Sequence, residues 1–199
     1  MANYFISDLH FNHSKVSESR GFQTYQEHDA HLIRTINKVV NKTDDLYILG
    51  DITLSDNGLT WKDNLSIINH LNGRKHLISG NHDRCSVTQS NGHNYQAEFM
   101  KYFDSVSSFV KLTFNGQTYF LSHYPYDETD EAFSTAATNA SDFEQFQLKD
   151  SGIPVIHGHT HSDTILTMSK IGTPQINVNI ESIGFRPISF AEISKLLKK

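Results

Sequence analysis

Short apolar runs that end abruptly on acids, amides and histidines dominate the pattern of this 199-residue chain. Residues 2–7 form the first such run and predict a buried strand ending at Asp8. Behind a capping-box pattern, Thr24-x-x-Glu27, the residues Leu32, Ile33, Ile36, Val39 and Val40 recur at helical spacing and predict a helix of about four turns. Residues 45–49 predict a second strand, closed by Gly50-Asp51. Trp61, Leu65, Ile68 and Leu71 then mark a second helix that stops at Gly73. A third strand over 75–79 runs into Gly80-Asn81-His82-Asp83. Strand, helix, strand, helix, strand is the pattern of a parallel sheet with helical crossovers, and such sheets gather ligands at the carboxyl ends of their strands. Every polar motif so far falls at one of those ends.

The second half changes character. Residues 105–114 and 117–122 flank Asn115-Gly116, the strongest short hairpin signal, and are expected to be antiparallel strands. Further short strands are expected at 154–156, 164–168, 175–179 and 187–190, with a last helix behind the capping box Ser189-x-x-Glu192. Residues 124–152 are polar, carrying the acids Asp127, Glu128, Asp130, Glu131, Asp142, Glu144 and Asp150 against the single base Lys149, and read as a lid or long loop. Length and composition predict one α/β domain spanning residues 1–199.

A net charge of -5 gives no overall basic field for a nucleic-acid backbone, so nucleic acid is disfavoured as a partner relative to small molecules. The first residues carry no charged leader, no run is long enough to span a membrane, and the single Cys85 suits a reducing compartment; a cytoplasmic protein without membrane attachment is expected.

Asp8-Leu9-His10 and His159-Thr160-His161 each place two ligand-type side chains at i and i+2, which in extended backbone point to the same side and could grip one ion. Either pair alone is commonly a polar strand end. Together with Asp51, Asn81 and His123, each in its own strand-terminal loop, they make seven candidate ligands, more than one tetrahedral ion uses. Two divalent ions with two carboxylates and neutral partners leave net positive charge for a phosphate, and coordination supplies hydroxide near neutral pH.

Asp8-x-His10, Gly50-Asp51, Gly80-Asn81-His82-Asp83, Ser122-His123 and Gly158-His159-x-His161 resemble, in order and spacing, the motifs of the calcineurin-like metallophosphoesterase family. Ser7-Asp8-Leu9-His10-Phe11-Asn12-His13 and the late Asn177-Val178-Asn179 resemble its small stand-alone bacterial and phage members. The resemblance implies a four-layer α-β-β-α sandwich and a dinuclear centre, with Mn2+ favoured over Fe, Zn, Ni or Co. One metal would take Asp8, His10, Asp51 and His161; the other would take Asp51, Asn81, His123 and His159. It further implies His82 as general acid. Asp83 is a candidate partner for His82, although an acid in a tight turn after a strand is at least as often a cap for local amides. His13, Arg20 and Arg84 are candidate substrate contacts, the alternatives being a helix-leading histidine and surface ion pairs. Leu54 stands where the protein-phosphatase branch has a second Asp, which disfavours phosphoproteins. The expected activity is attack of a metal-bridging hydroxide on a phosphomonoester or phosphodiester, small or nucleotide-like. A nuclease of the same family and a metal-dependent scaffold module are the alternatives.

Overall fold

Strict alternation in the first strands sends successive side chains to two different cores, and this builds the layers. The computed structural model describes residues 1–54, 58, 60–126 and 141–198. Strand β1 (Asn3–Ile6) turns Ile6 to one cluster and Phe5 to the other; β2 (Asp45–Ile48) turns Leu46 and Ile48 to the first, and β3 (Arg74–Ile78) divides Leu77 from Ile78 in the same way. The first cluster lies under helix α2 (Tyr25–Val39), against which α1 (Ser14–Ser19) packs, α3 (Trp61–Leu65) with the 3-10 turn Ser66–His70 that follows it, a 3-10 turn Gly92–Tyr95, and α4 (Gln96–Phe99). The second cluster joins Phe5, Leu49 and Ile78 to Tyr119, Leu121, Ile156 and Ile176 of another sheet. That is sheet packed on sheet with helices outside, an α/β sandwich.

The first sheet runs β10-β1-β2-β3-β4, with β1, β2, β3 and β4 (Ser105–Ser107) parallel and β10 (Ile188–Ser189) antiparallel at the edge. The second runs β5-β6-β7-β9-β8, from β5 (Phe109–Phe114), β6 (Gln117–Ser122), β7 (Val155–His157), β8 (Leu166–Met168) and β9 (Pro174–Asn177). Pairs β6–β7 and β7–β9 are parallel; β5–β6 and β8–β9 are antiparallel. The sheets meet where Ser7 bridges Asn179 in parallel, Ser7 N donating to the Val178 carbonyl at 2.9 Å. Helices α5 (Ser141–Glu144) and α6 (Phe190–Leu196) complete the fold. Among the described residues no helix is long and apolar enough to cross a membrane.

Two expectations need correction, and a third falls largely outside the described residues. Residues 105–114 are two strands and not one: Val106 packs on the first core, Val110, Leu112 and Phe114 on the second, and the chain changes sheets at Ser108. As a result β4 pairs in parallel with β3, while only β5 forms the hairpin with β6. The helix expected from Trp61 to Leu71 is α-helical for five residues only, because Ser66 Oγ donates to the Asp63 carbonyl at 2.7 Å and the following turn tightens to 3-10. Of the expected acidic lid, residues 127–140 and the side chain of Asp142 lie outside the described residues. Asp150 is an anchor, accepting from Thr173 Oγ1 at 2.8 Å, Ser169 Oγ at 2.5 Å and Gly152 N at 2.9 Å.

Candidate metal centre

The carboxyl ends of β1, β2, β3, β6 and β7 converge, and each delivers a polar motif to one place. The loops after β1 and β2 run side by side: Asp8 N donates to the Gly50 carbonyl at 3.0 Å and His10 N to the Asp51 carbonyl at 3.0 Å. Gly158 N donates to the His123 carbonyl at 3.0 Å, and His159 N to Asp8 Oδ2 at 2.9 Å. Gly50 and Gly80 allow this crowding. A Cβ on Gly50, itself at φ +93°, would stand 2.5 Å from Gly80 N and 2.6 Å from His123 Nδ1; one on Gly80 would strike the Asp51 carboxylate and lie 2.8 Å from His123 Cε1.

The backbone that carries the ligand-type residues is not extended, as the i, i+2 spacing implied. Asp8 (φ 59°), His10 (46°), Asp51 (53°), His159 (70°) and His161 (48°) are all left-handed. A non-glycine residue held there costs roughly 1–3 kcal/mol, and such strain persists only where the surroundings over-determine it. Five such residues in one place mark a site built for something other than stability.

Two groups of side chains result. Asp8, His10 and His161 form one, and Asp51, His123 and His159 the other, with ligand atoms inside each group within 4.8 Å of one another. Asn81 adjoins the second group, its Oδ1 lying 3.1 Å from His123 Nε2. Asp51 Oδ2 lies between the two, 3.9 Å from His10 Nε2 and 3.6 Å from His123 Nε2. His82 borders both. Its N–H donates to Asp51 Oδ1 at 2.9 Å, its Nε2 lies 3.8 Å from Asp51 Oδ2, and its side chain is 39 % exposed.

The donor chemistry fits divalent cations. Asp8 Oδ1 is buried without a hydrogen-bond partner, an expensive condition for a carboxylate oxygen unless a cation meets it. His10 Nε2 and His161 Nε2 approach to 3.3 Å, where two lone pairs need a proton or a cation between them. His123 Nδ1 donates to the Leu49 carbonyl at 2.7 Å, which fixes the tautomer and turns the Nε2 lone pair toward Asp51 and Asn81. Burial drives His10 down to about 3 and lowers His123 as well, keeping both neutral and able to ligate. Burial alone would raise the Asp8 and Asp51 carboxyls. The imidazoles around them reverse that, His161, His123 and His10 at Asp8 and His123, His82 and His10 at Asp51, and both carboxyls are held below the ordinary range.

The remaining candidates are placed as follows. Asp83 is 3 % exposed and lies against backbone: Oδ2 accepts from Gly80 N at 2.8 Å and Asp51 N at 3.0 Å, and Oδ1 from Ile52 N at 3.1 Å. It clamps the Gly-Asp turn to the Gly-Asn-His turn. Burial, with the charge of Asp51, pushes its carboxyl up to about 7 against these bonds. Arg20 offers no fork to a phosphate. Its side chain is 3 % exposed, with Nε and one terminal nitrogen on Glu181 Oε1 at 2.8 and 2.7 Å and both terminal nitrogens on the Asp8 and Leu9 carbonyls at 2.8 and 3.1 Å. His13 Nδ1 accepts from Val16 N at 3.0 Å as the N-cap of α1. Arg84 stacks on the Tyr95 ring, 5.2 Å from its centroid. Glu181, by contrast, escaped the sequence reading: its Oε1 lies 3.2 Å from His161 Nδ1. The available signal was its position just past the strand end that carries Asn177-Val178-Asn179.

The sequence profile of the calcineurin-like phosphoesterase superfamily domain matches residues 1–184. The chain belongs to that superfamily. Its small relatives include the gene 66 protein of Mycobacterium phage L5, 35 % identical over 209 residues and covering 98 % of this chain and 93 % of its own. An archaeal relative, an uncharacterized protein of Methanocaldococcus jannaschii, is 29 % identical over 200 residues and covers 98 % and 91 %. Among solved structures, a protein of unknown function from Aquifex aeolicus aligns with a TM-score of 0.67 at 28 % identity, covering 98 % of both chains. As a calcineurin-like phosphoesterase the chain is a metal-dependent phosphoric ester hydrolase, and its two sheets with flanking helices are that family's α/β sandwich.

Proposed function

We propose that this calcineurin-like phosphoesterase hydrolyses small phosphate esters, with phosphodiesters and nucleotide-like substrates favoured, at a centre of two divalent ions. Asp8, His10, Asp51 and His161 would hold one ion, and Asp51, Asn81, His123 and His159 the other, with Mn2+ favoured on the family resemblance. The observation that carries this reading is the place of Asp51 Oδ2, within 4 Å of an imidazole nitrogen from each group, where a single carboxylate would serve both cations. The ions, once bound, supply positive charge for the phosphoryl oxygens and acidify a water to serve as nucleophile.

The protein's own part is positioning and proton transfer. Leu49 and Asp83 hold His123 and the Asp51 turn through the bonds described above. His82, the exposed imidazole beside Asp51, is our general acid: its Nε2 delivers a proton to the departing oxygen. The two carboxylates offset only half the charge of two dications, and the surplus favours a dianionic or monoanionic phosphate.

The test is a screen of purified, metal-replete protein against phosphomonoesters, phosphodiesters, cyclic nucleotides and oligonucleotides. Turnover of a small ester that is abolished by chelation and lost in Asp51→Asn supports the proposal. Turnover confined to oligonucleotides supports a nuclease instead, and no turnover in a protein that binds metal supports a scaffold.

A further inference from the structure

We infer that Glu181 is a positioning residue that holds His161 with Nε2 presented to the metal-binding group, an inference that rests on the dinuclear reading above. Glu181 lies past the end of β9, the strand that pairs in parallel with β7, so it faces the Gly158-His159-Thr160-His161 loop from the adjoining strand. Its Oε1 is 3.2 Å from His161 Nδ1, and its Oε2 accepts from Asn179 Nδ2 at 2.9 Å. Arg20 fixes that same Oε1 with Nε at 2.8 Å and a terminal nitrogen at 2.7 Å, in a place where its own side chain is 3 % exposed. A guanidinium has donors only, so the oxygen it binds is an acceptor, and His161 Nδ1 meets that same oxygen. Nδ1 of His161 must then carry the proton, which leaves the Nε2 lone pair directed at Asp8 Oδ1, 3.7 Å away.

An ion pair that merely ties the end of α1 to the β9 loop would need no contact with His161. Two observations set Glu181 apart from that role. Arg20, the partner of Glu181, also binds the Asp8 and Leu9 carbonyls, so one unit touches the loops of two candidate ligands of the same group. The segment that carries Glu181 also braces the histidine loop directly, Asn177 Nδ2 donating to Thr160 Oγ1 and the Ser162 carbonyl, each at 3.1 Å. The braced loop holds His159 and His161 at positive φ, a conformation that needs outside support. A carboxylate behind a ligating imidazole fixes the ring and raises its basicity, and losing it lowers metal affinity about 10- to 100-fold.

The experiment is equilibrium dialysis of full-length protein against Mn2+ for the parent, Glu181→Gln and Glu181→Ala, with melting of each metal-free form measured in parallel. Gln keeps an oxygen that accepts from Nδ1 but loses the charge. We expect one of two Mn2+ sites to weaken about 10- to 100-fold in Glu181→Ala and by a smaller, measurable factor in Glu181→Gln, giving the order parent, Gln, Ala. Any other order overturns the inference, including equal losses in both variants or Mn2+ binding unchanged in Glu181→Ala. If the Ala variant does not fold, Glu181→Gln decides alone, and parental affinity there overturns it. A parent that binds no Mn2+ sinks the dinuclear reading instead, so the two failures are distinct.

Discussion

His82 and Asp83 are consecutive in one turn, yet their side chains meet different surroundings. His82 faces the open side of the centre beside Asp51, and Asp83 is closed in by three backbone amides. An acidified water needs no protein base, whereas an alkoxide leaving phosphorus needs a proton. His82→Ala should therefore cost little on a p-nitrophenyl ester and about 10²- to 10⁴-fold on an alkyl ester. A dependence of kcat/KM on leaving-group pKa no steeper than the parent's, with metal retained, would reduce His82 to a phosphate contact. Asp83→Ala should act differently, because each orphaned amide costs about 1–3 kcal/mol. Its Tm and its metal content should fall together, and a variant with parental Tm and metal content but lost turnover would restore a direct catalytic role. Asp8, Asp51, Asn81, His123 and His159 were legible in the chain because each follows an apolar run and a small residue, and His10 and His161 because each stands two positions after one of them. The left-handed backbone of Asp8, His10, Asp51, His159 and His161 was not, since an Asp or His carries no mark of φ. Arg20 was also opaque: its commitment to Glu181, 161 positions away, exists only after both sheets close.

At the scale of elements, capping signals translated directly into structure and long apolar runs did not. Ser189-x-x-Glu192 is a complete capping box on α6, with Glu192 Oε2 accepting from Ser189 N at 2.8 Å and Arg186 donating to Oε1 at 2.6 Å. A cap is written in adjacent residues, so nothing distant can overrule it. The run over 105–114 depended on which core would take each apolar side chain, and no local pattern records that. Glu192 also gives a pH test. Burial would raise its carboxyl, but the bonds from Arg186 and Ser189 outweigh this and bring it down to about 2, below the ordinary 4.5. A depressed folded-state value contributes stability above the unfolded value and loses it as pH falls through the folded one. The side chain is 37 % exposed, so solvent screening holds the gain below about 1 kcal/mol. Glu192→Gln should lower Tm by about 2–3 °C near neutral pH, with the gap closing between 4.5 and 2. A gap that does not change with pH would mean the charge contributes nothing.

For the whole molecule, the two sheets set their parallel strand ends side by side, and this is what lets five separate loops build one centre. A net charge of -5 disfavours long polyanions more than small ones. Among the described acids, Glu144 follows Phe143, whose ring lies 5.4 Å from His159. At physiological salt, kcat/KM for a small diester should exceed that for long single-stranded DNA; the reverse ranking would favour a nuclease. Elemental analysis of Mn2+-reconstituted protein, after removal of free metal, decides whether the centre is dinuclear and bridged by Asp51. Two ions per chain are expected in the parent and one or none in folded Asp51→Asn. One ion in the parent, or two retained in Asp51→Asn, would contradict that reading.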